Sequence, residues 1–421
     1  MTQYQAPKGV SEYFPPRSLA FEWVRETLVA PAKLAGYNLL ELPIFEDTEL
    51  FTRGVGASTD VVSKEMYTFE DRGGRSITLR PEGTVGALRA IIEHNLDRAS
   101  LPVKIWYAGA FFRAERPQAG RYRQFYSVGI EAVGSDDPAL DAEVISIAYE
   151  GFKNLGLKKF RLEITSLGDR QSRAAHRIDL LKYISTLDLD ESTKERVKLN
   201  PLRIFDDKRP QVRLQMQEAP KLLDYLSDES RVHFETVQKY LQALHIEFEI
   251  NPRMVRGLDY YTGTTFEFVH DLLGAQSGIG GGGRYDGLME EIGGQPLTGI
   301  GFGLGIDRAL LAVEAEGLQP STPTHSDLYL IALGEMAKVQ ALITAQNVKS
   351  EGISVEIAFG EKVLKNAMKR ADKNGAPFVV ILGDSELSTG SVELKEMKTG
   401  TTFSVTLSSL PQALRQALDG R

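Results

Sequence analysis

Apolar positions recur along the chain with two different periods, and the switches between them mark out its elements. Residues 17–35 carry apolar side chains at helical spacing, and 38–42, running into Pro43, read as extended. Residues 64–70 and 76–80 read as strands joined through 71–75, whose Gly-Gly content predicts a hairpin. Helical spacing returns over 84–98 through Val85, Leu88, Ile91 and Ile92. Two strand-like runs, 103–113 and 123–131, flank a polar loop, followed by a helix over 139–155 and a strand over 160–164. From 169 to 245 strands disappear, charge rises and leucines recur with helical period, which predicts a helical insertion. Strands are expected again at 246–250, 254–256 and 264–270, then a glycine-dense turn, SGIGGGGRYDG, and a helix over 304–316.

Residues 317–326 have the Pro/Ser/Thr content of a linker. Beyond it, strand 327–333, helix 335–350, strand 354–358, helix 362–374 and strand 378–382 alternate, predicting a small α/β domain with a largely parallel sheet. The hairpins and segregated helices before the linker predict an α+β fold with a mainly antiparallel sheet flanked by helices. The expected division is one domain over 1–168 and 246–318, an insertion over 169–245, a linker over 319–326 and a second domain over 327–421.

A length of 421 residues exceeds one ordinary core, in line with two or three domains. Hydrophobic content of 42% and charged content of 25% are those of a globular protein. With no cysteine, disulfide scaffolds, thiolate zinc sites and cysteine nucleophiles are excluded. The six histidines (His94, His176, His233, His245, His270, His325) fall at no metal-ligand spacing, so no protein-bound structural metal is expected. The first residues lack the basic and apolar regions of a secretory signal, and the most apolar stretch, 299–313, is broken by Asp307 and Arg308. A cytoplasmic protein without a membrane span is therefore expected. A net charge of −8 argues against sequence-blind nucleic-acid binding but leaves room for a specific partner held by local basic patches.

Several clusters carry candidate chemistry. In VRGLDYYTGTTFE (255–267), Arg256 stands beside Gly257, Asp259, Tyr260 and Tyr261 in an apolar run. A planar five-donor guanidinium suits phosphate, and tyrosine adds an aromatic wall with a hydroxyl; the plainer alternative is a turn with a surface arginine. In FFRAERPQAGRYRQFYSVGIE (111–131), Arg113, Arg116, Arg121 and Arg123 crowd a loop. Alternation in the second strand puts Arg123, Phe125, Ser127, Gly129 and Glu131 on one face, where the two small residues leave room for a ligand. Arg113 and Phe125 suit a phosphate and a flat base, Glu131 a cationic or N–H-bearing group; otherwise this is a surface hairpin with solvated arginines.

In TLRPEGT (78–84), Glu82 stands at a helix start, where it either stabilises the helix dipole or faces an ammonium group. GGGGRYDG (280–287) is a plain turn or a close backbone approach to a ligand, with Tyr285 as a wall; it is not a dinucleotide fingerprint. GIGFGLGIDR (299–308) sets glycines before Asp307 and Arg308, a surface ion pair unless Arg308 reaches toward a triphosphate. Lys362, Lys365, Lys369 and Lys373, with Arg370, share one helix face, either solvated or turned to a polyanion.

Together these segments resemble histidyl-tRNA synthetase, a class II aminoacyl-tRNA synthetase, nearly colinearly over the whole chain. RGLDYYTGTTFE and LRPEGT are the most specific parts; FRAERPQAGRYRQF looks like class II motif 2, GFGLGIDR like motif 3, and 42–54 with Pro43 like the dimer-forming motif 1. The resemblance implies a catalytic domain, a helical insertion and a C-terminal anticodon-binding domain in a homodimer. It implies ATP as substrate with accompanying Mg2+, and histidine tRNA as partner. The implied ligase reaction joins L-histidine and ATP into histidyl-adenylate and pyrophosphate, then passes the acyl group to the 3′ end of the tRNA.

Carried over by position, Glu82, Gly83 and Thr84 would hold the amino group of histidine, and Glu131 and Tyr261 would address its imidazole with Tyr260 and Tyr285 nearby. Arg113 and Arg256 would grip the α-phosphate as catalytic residues, Phe125 would stack on adenine, and Glu115, Arg121 and Arg308 would complete the ATP site. Arg116, Gln118 and Arg121 would meet the acceptor end of the tRNA, and Lys362, Lys365 and Lys369 would contact it elsewhere. One departure stands out: the family usually has His-Gln where this chain has Tyr126-Ser127, and the shorter Ser127 needs water or a neighbour to complete its contact with the amino acid.

Two other readings compete. A regulatory subunit of ATP phosphoribosyltransferase shares the catalytic fold and binds histidine without charging tRNA, but typically lacks the C-terminal domain and has a degenerate arginine–tyrosine motif; here Arg113, Arg256 and Arg308 are all present. A class II synthetase for another amino acid is weakened by Glu131 together with the tyrosine pair.

Overall fold

A computed structural model describes residues 4–56, 59–207, 209–320, 325–360 and 363–419, in two compact units, Met1–Gln319 and Pro320–Arg421. The first unit is built on an eight-stranded sheet in the order Asn38–Leu39, Val103–Phe112, Gln124–Val133, Gly299–Gly305, Gly278–Arg284, Thr262–His270, Phe160–Ser166, Glu249–Ile250. The inner strands pair antiparallel, and the two short edge strands run parallel to their neighbours. A three-stranded sheet of Phe45–Asp47, Ser76–Leu79 and Tyr67–Glu70 adjoins it.

The period of two in these strands separates two cores. Val128, Ile130 and Ala132 face an apolar core with Leu28, Ile145 and Phe152 from the helices Arg17–Leu34 and Pro138–Asn154. Each fully buried Val, Leu, Ile or Phe there contributes about 1.5–3 kcal/mol, so this face carries much of the unit's stability. The other face packs under the helix Thr84–Glu93 and is rich in tyrosine: Tyr107, Tyr260, Tyr261 and Tyr285 join Val85, Leu88 and Ile91 there. Hydrocarbon packing on one side and phenolic packing on the other places the polar chemistry on the second face.

Two expectations are corrected. The glycine-dense run is no turn but the strand Gly278–Arg284, in the middle of the sheet. At its glycines the neighbours leave no room for a side chain: a Cβ on Gly281 would lie 2.6 Å from the Phe266 carbonyl oxygen and 2.8 Å from Arg256 Nη1. Residues 254–256 form no strand either. Pro252 lacks an N–H for a ladder, and Asn251 turns the chain by accepting from the Met254 N–H at 3.2 Å. The insertion is helical as expected, with Arg170–Ile184, Glu191–Leu199, Pro210–Gln215 and Asp228–Ala243 as its α-helices among the described residues.

In the second unit Val355–Ile357, Leu328–Ala332 and Phe378–Leu382 pair in parallel, as the alternation predicts. Two antiparallel strands, Ser391–Glu396 and Thr402–Thr406, extend the sheet beyond the reach of the sequence reading. No described helix is long and apolar enough to cross a membrane.

Candidate active site

The tyrosine-rich face opens into a cavity of about 270 Å3 at the centre of the first unit. Glu82, Gly83 and Thr84 enter it from the start of the helix Thr84–Glu93; Arg113, Glu115, Arg121, Phe125 and Ser127 come from the second and third strands and their loop. Arg256, Tyr260 and Tyr261 come from the segment before the strand Thr262–His270, and Arg308 enters from the helix Ile306–Ala315. The convergence of four arginines on one concave site is the arrangement for a polyanion.

Glu82 holds the start of the helix, as one of its two expected readings has it, and also lines the cavity. Its carboxylate accepts from the Thr84 and Val85 N–H groups at 2.8 and 3.0 Å, capping the helix, and from the Tyr260 hydroxyl at 3.3 Å. Burial pushes its pKa up, against those stabilising hydrogen bonds. Tyr107, absent from the sequence-level set, joins this corner: its ring occupies space that a Cβ on Gly83 or Gly129 would overlap, and its hydroxyl donates to Glu131 Oε1 at 2.9 Å. Strand alternation along Val103–Phe112 puts Tyr107 and Phe111 on one face, a signal available in the sequence but read only for the partner strand.

Glu131 and Tyr285 lie beneath the cavity wall rather than on it, with Glu131 wholly buried and the Tyr285 ring 6.1 Å from that of Tyr260. Burial pushes the Glu131 carboxyl up to about 8, opposed by the nearby Tyr285 and Tyr107 hydroxyls. That shift favours the protonated form of the acid.

The cations are held in different ways. Arg113 donates from Nε to the Pro81 carbonyl at 3.0 Å and lies over the Phe125 ring, 5.3 Å from its centroid. Arg256 sits 3.5 Å from Glu267 Oε2 and 5.2 Å from the centroid of Tyr261. Arg308 ties the motif 2 loop to the glycine strand, donating to the Gly120 and Gly278 carbonyls at 2.8 and 2.7 Å. Arg121 pairs with Glu115. Asp307, which the plainer of the two readings paired with Arg308, instead accepts from the Tyr126 N–H at 2.6 Å and from the Tyr13 hydroxyl. Ser127 lines the cavity but donates its hydroxyl to the Leu304 carbonyl at 2.9 Å. Arg116 and Gln118 are exposed on the outer side of the loop.

In the second unit, Lys365, Lys369 and Lys373 are exposed on the helix Leu364–Asn374, while Lys362 lies outside the described residues. Among the described residues no group of three or more His, Asp or Glu is arranged to hold a metal.

A family model for histidyl-tRNA synthetase matches residues 9–309, well over half of the chain. The chain belongs to the histidyl-tRNA synthetase family. A model described as an anticodon binding domain matches residues 327–417, which lie in the second unit. A histidine--tRNA ligase of Saccharopolyspora erythraea is 57% identical over 99% of this chain and 100% of its own length; one of Mycobacterium marinum is 58% identical over 97% and 98%. The apo histidyl-tRNA synthetase of S. aureus superposes with a TM-score of 0.82 at 34% identity, covering 98% of this chain and 100% of that one. A Bacillus halodurans protein described as an ATP phosphoribosyltransferase regulatory subunit/histidyl-tRNA synthetase matches at 19% identity and TM-score 0.65 over 91% of this chain, a likeness of fold alone. That members of the histidyl-tRNA synthetase family at this identity match from end to end, C-terminal unit included, favours the synthetase over the regulatory reading.

Proposed function

We propose that this chain is a histidine--tRNA ligase: it activates L-histidine with ATP to histidyl-adenylate and transfers the acyl group to the 3′ end of histidine tRNA. The observation that carries this reading is one cavity holding both a carboxylate–phenol corner and a set of convergent arginines. Adenylate formation needs no covalent enzyme intermediate. It needs the histidine carboxylate placed in line with the α-phosphate, and cations aimed at charge that builds on that phosphorus.

Glu82 and Thr84, with Tyr260, take the amino group. Tyr261 addresses the imidazole, and Glu131 acts from beneath, oriented by Tyr107 and Tyr285; pairing the ring N–H groups is what lets such a site reject other amino acids. Arg113 and Arg256 bracket the α-phosphate, Phe125 offers its face to adenine, and Arg308 stands beside the triphosphate end. Mg2+ arrives with ATP, and Glu115 and Glu267 are the carboxylates beside Arg308 that can face it. Arg116 and Gln118 meet the acceptor end of the tRNA from the exposed side of their loop. The exposed apolar side chains Leu39, Ile44 and Phe45 near the motif 1 segment fit a homodimer, and the protein works in the cytoplasm.

Amino-acid-dependent ATP–pyrophosphate exchange tests the reading: among the twenty amino acids, histidine alone is expected to support it, without need of tRNA. Exchange with another amino acid and not histidine would refute the assignment. Replacing Lys365, Lys369 and Lys373 by Glu is expected to weaken tRNA binding by about tenfold or more at low salt while leaving exchange intact. Unchanged tRNA affinity would mean that this helix face is only solvated.

A further inference from the structure

The helical insertion reaches the cavity wall from behind. Asn200 caps the short turn Pro201–Asp206, its Oδ1 accepting from the Leu202 N–H at 3.1 Å, while its Nδ2 donates to Asp259 Oδ1 at 3.0 Å. Arg203 donates from Nη2 to the Gly257 carbonyl at 3.0 Å, and its Nη1 lies 3.6 Å from Asp60. Arg173, on the first insertion helix, donates from Nη1 to the Tyr261 carbonyl at 3.2 Å. Residues distant in sequence thus converge on one segment, 257–261, which has no regular secondary structure before the strand that begins at Thr262. A segment without a ladder takes its shape from the groups to which its carbonyls and side chains are tied. This one carries Arg256 at its head and Tyr261 at its end, both on the cavity wall.

We propose that the helical insertion is a positioning element for amino-acid activation, with Asn200 and Arg203 holding residues 257–259 so that Arg256 is aimed into the cavity. Neither residue touches the cavity; they act through the loop. The proposal rests on Arg256 being the activating cation. Positioning is a sensitive function, since a misplacement of about 1 Å at a catalytic group can lower a rate about a hundredfold.

Asn200→Asp separates positioning from folding, because its carboxylate still caps the Leu202 N–H but now opposes the Asp259 carboxylate. In histidine-dependent exchange its kcat is expected to fall about tenfold or more, with KM for histidine changed less than about threefold. Adding Asp259→Asn rebuilds the hydrogen bond with donor and acceptor reversed, and is expected to restore most of kcat. Arg203→Ala, which removes the tie to the Gly257 carbonyl and the ion pairs with Asp60 and Asp259, is measured alongside and is expected to lose kcat in the same way. An Asn200→Asp protein with the parent's thermal midpoint and a kcat within about twofold of the parent overturns the proposal. So does a loss confined to KM, or one that the double variant fails to recover. If Asn200→Asp does not fold, the Arg203→Ala result decides by the same criteria. A parent chain silent in exchange would instead refute the reading of the site.

Discussion

Arg256→Ala is expected to silence histidine-dependent ATP–pyrophosphate exchange, losing about 3 kcal/mol or more of transition-state stabilisation, which is a hundredfold or greater fall in kcat. The expectation comes from how the side chain is held. Its guanidinium is partly buried against the Tyr261 ring, with Glu267 as a loosely placed counter-charge at 3.5 Å. A cation pre-oriented by packing needs little reorganisation when negative charge builds on a phosphate in front of it. Arg256→Lys keeps the charge but not the planar fork, and should recover only part of the loss. Exchange is to be measured at saturating histidine and ATP; an alanine variant that retains half of the parent's kcat would remove the mechanism.

The second large effect belongs to Glu131. Glu131→Ala leaves the buried Tyr107 hydroxyl without its acceptor and deprives Tyr285 of its neighbour, so kcat/KM for histidine is expected to fall about a hundredfold. The same residue gives the ligand-free protein a pH signature. Its carboxyl titrates near 8 in the folded chain and near 4.5 when free. Between those values the folded form holds a proton that the unfolded chain releases. The corresponding stability is complete below about 4.5, declines as pH rises, and is gone above about 8. Thermal midpoints across that window should therefore fall with rising pH, and Glu131→Gln, which keeps an oxygen for Tyr107, should flatten the slope. An unaltered slope in the glutamine variant would show that another group is responsible.

Most of the first unit was legible because its strands alternate cleanly: the face Phe125, Ser127, Gly129 and Glu131 follows from a period of two, and the structure keeps it. Arg256 was also readable as a charge out of keeping with its apolar run, Arg113 as one of a cluster of arginines and Arg308 as an arginine after close-packed glycines, and one cavity gathers them. What escaped did so for physical reasons. A glycine run has no side chains with which to declare a strand, so 278–284 resembled a turn until its neighbours were known. Tyr107 was not singled out, since its meaning depends on Gly83 and Gly129, both on other elements, making room for the ring. The depth of Glu131, and the engagement of Arg308 and Ser127 with backbone carbonyls, depend on contacts made across the sheet that no local pattern encodes. The strands Ser391–Glu396 and Thr402–Thr406 do alternate, through Val392 and Leu394 in one and Phe403 and Val405 in the other, so their signal was present in the sequence, although short.

The strand Gly278–Arg284 has one more consequence. Glycine surrenders more backbone freedom on ordering than any other residue and brings no apolar surface in return, so this strand has almost no tendency of its own to extend. It is held straight by Thr262–His270 on one side and Gly299–Gly305 on the other, like a missing plank that only its neighbours can clamp. Since Gly278, Gly280 and Gly281 line the cavity, this part of its wall takes shape only once the two flanking strands are in register.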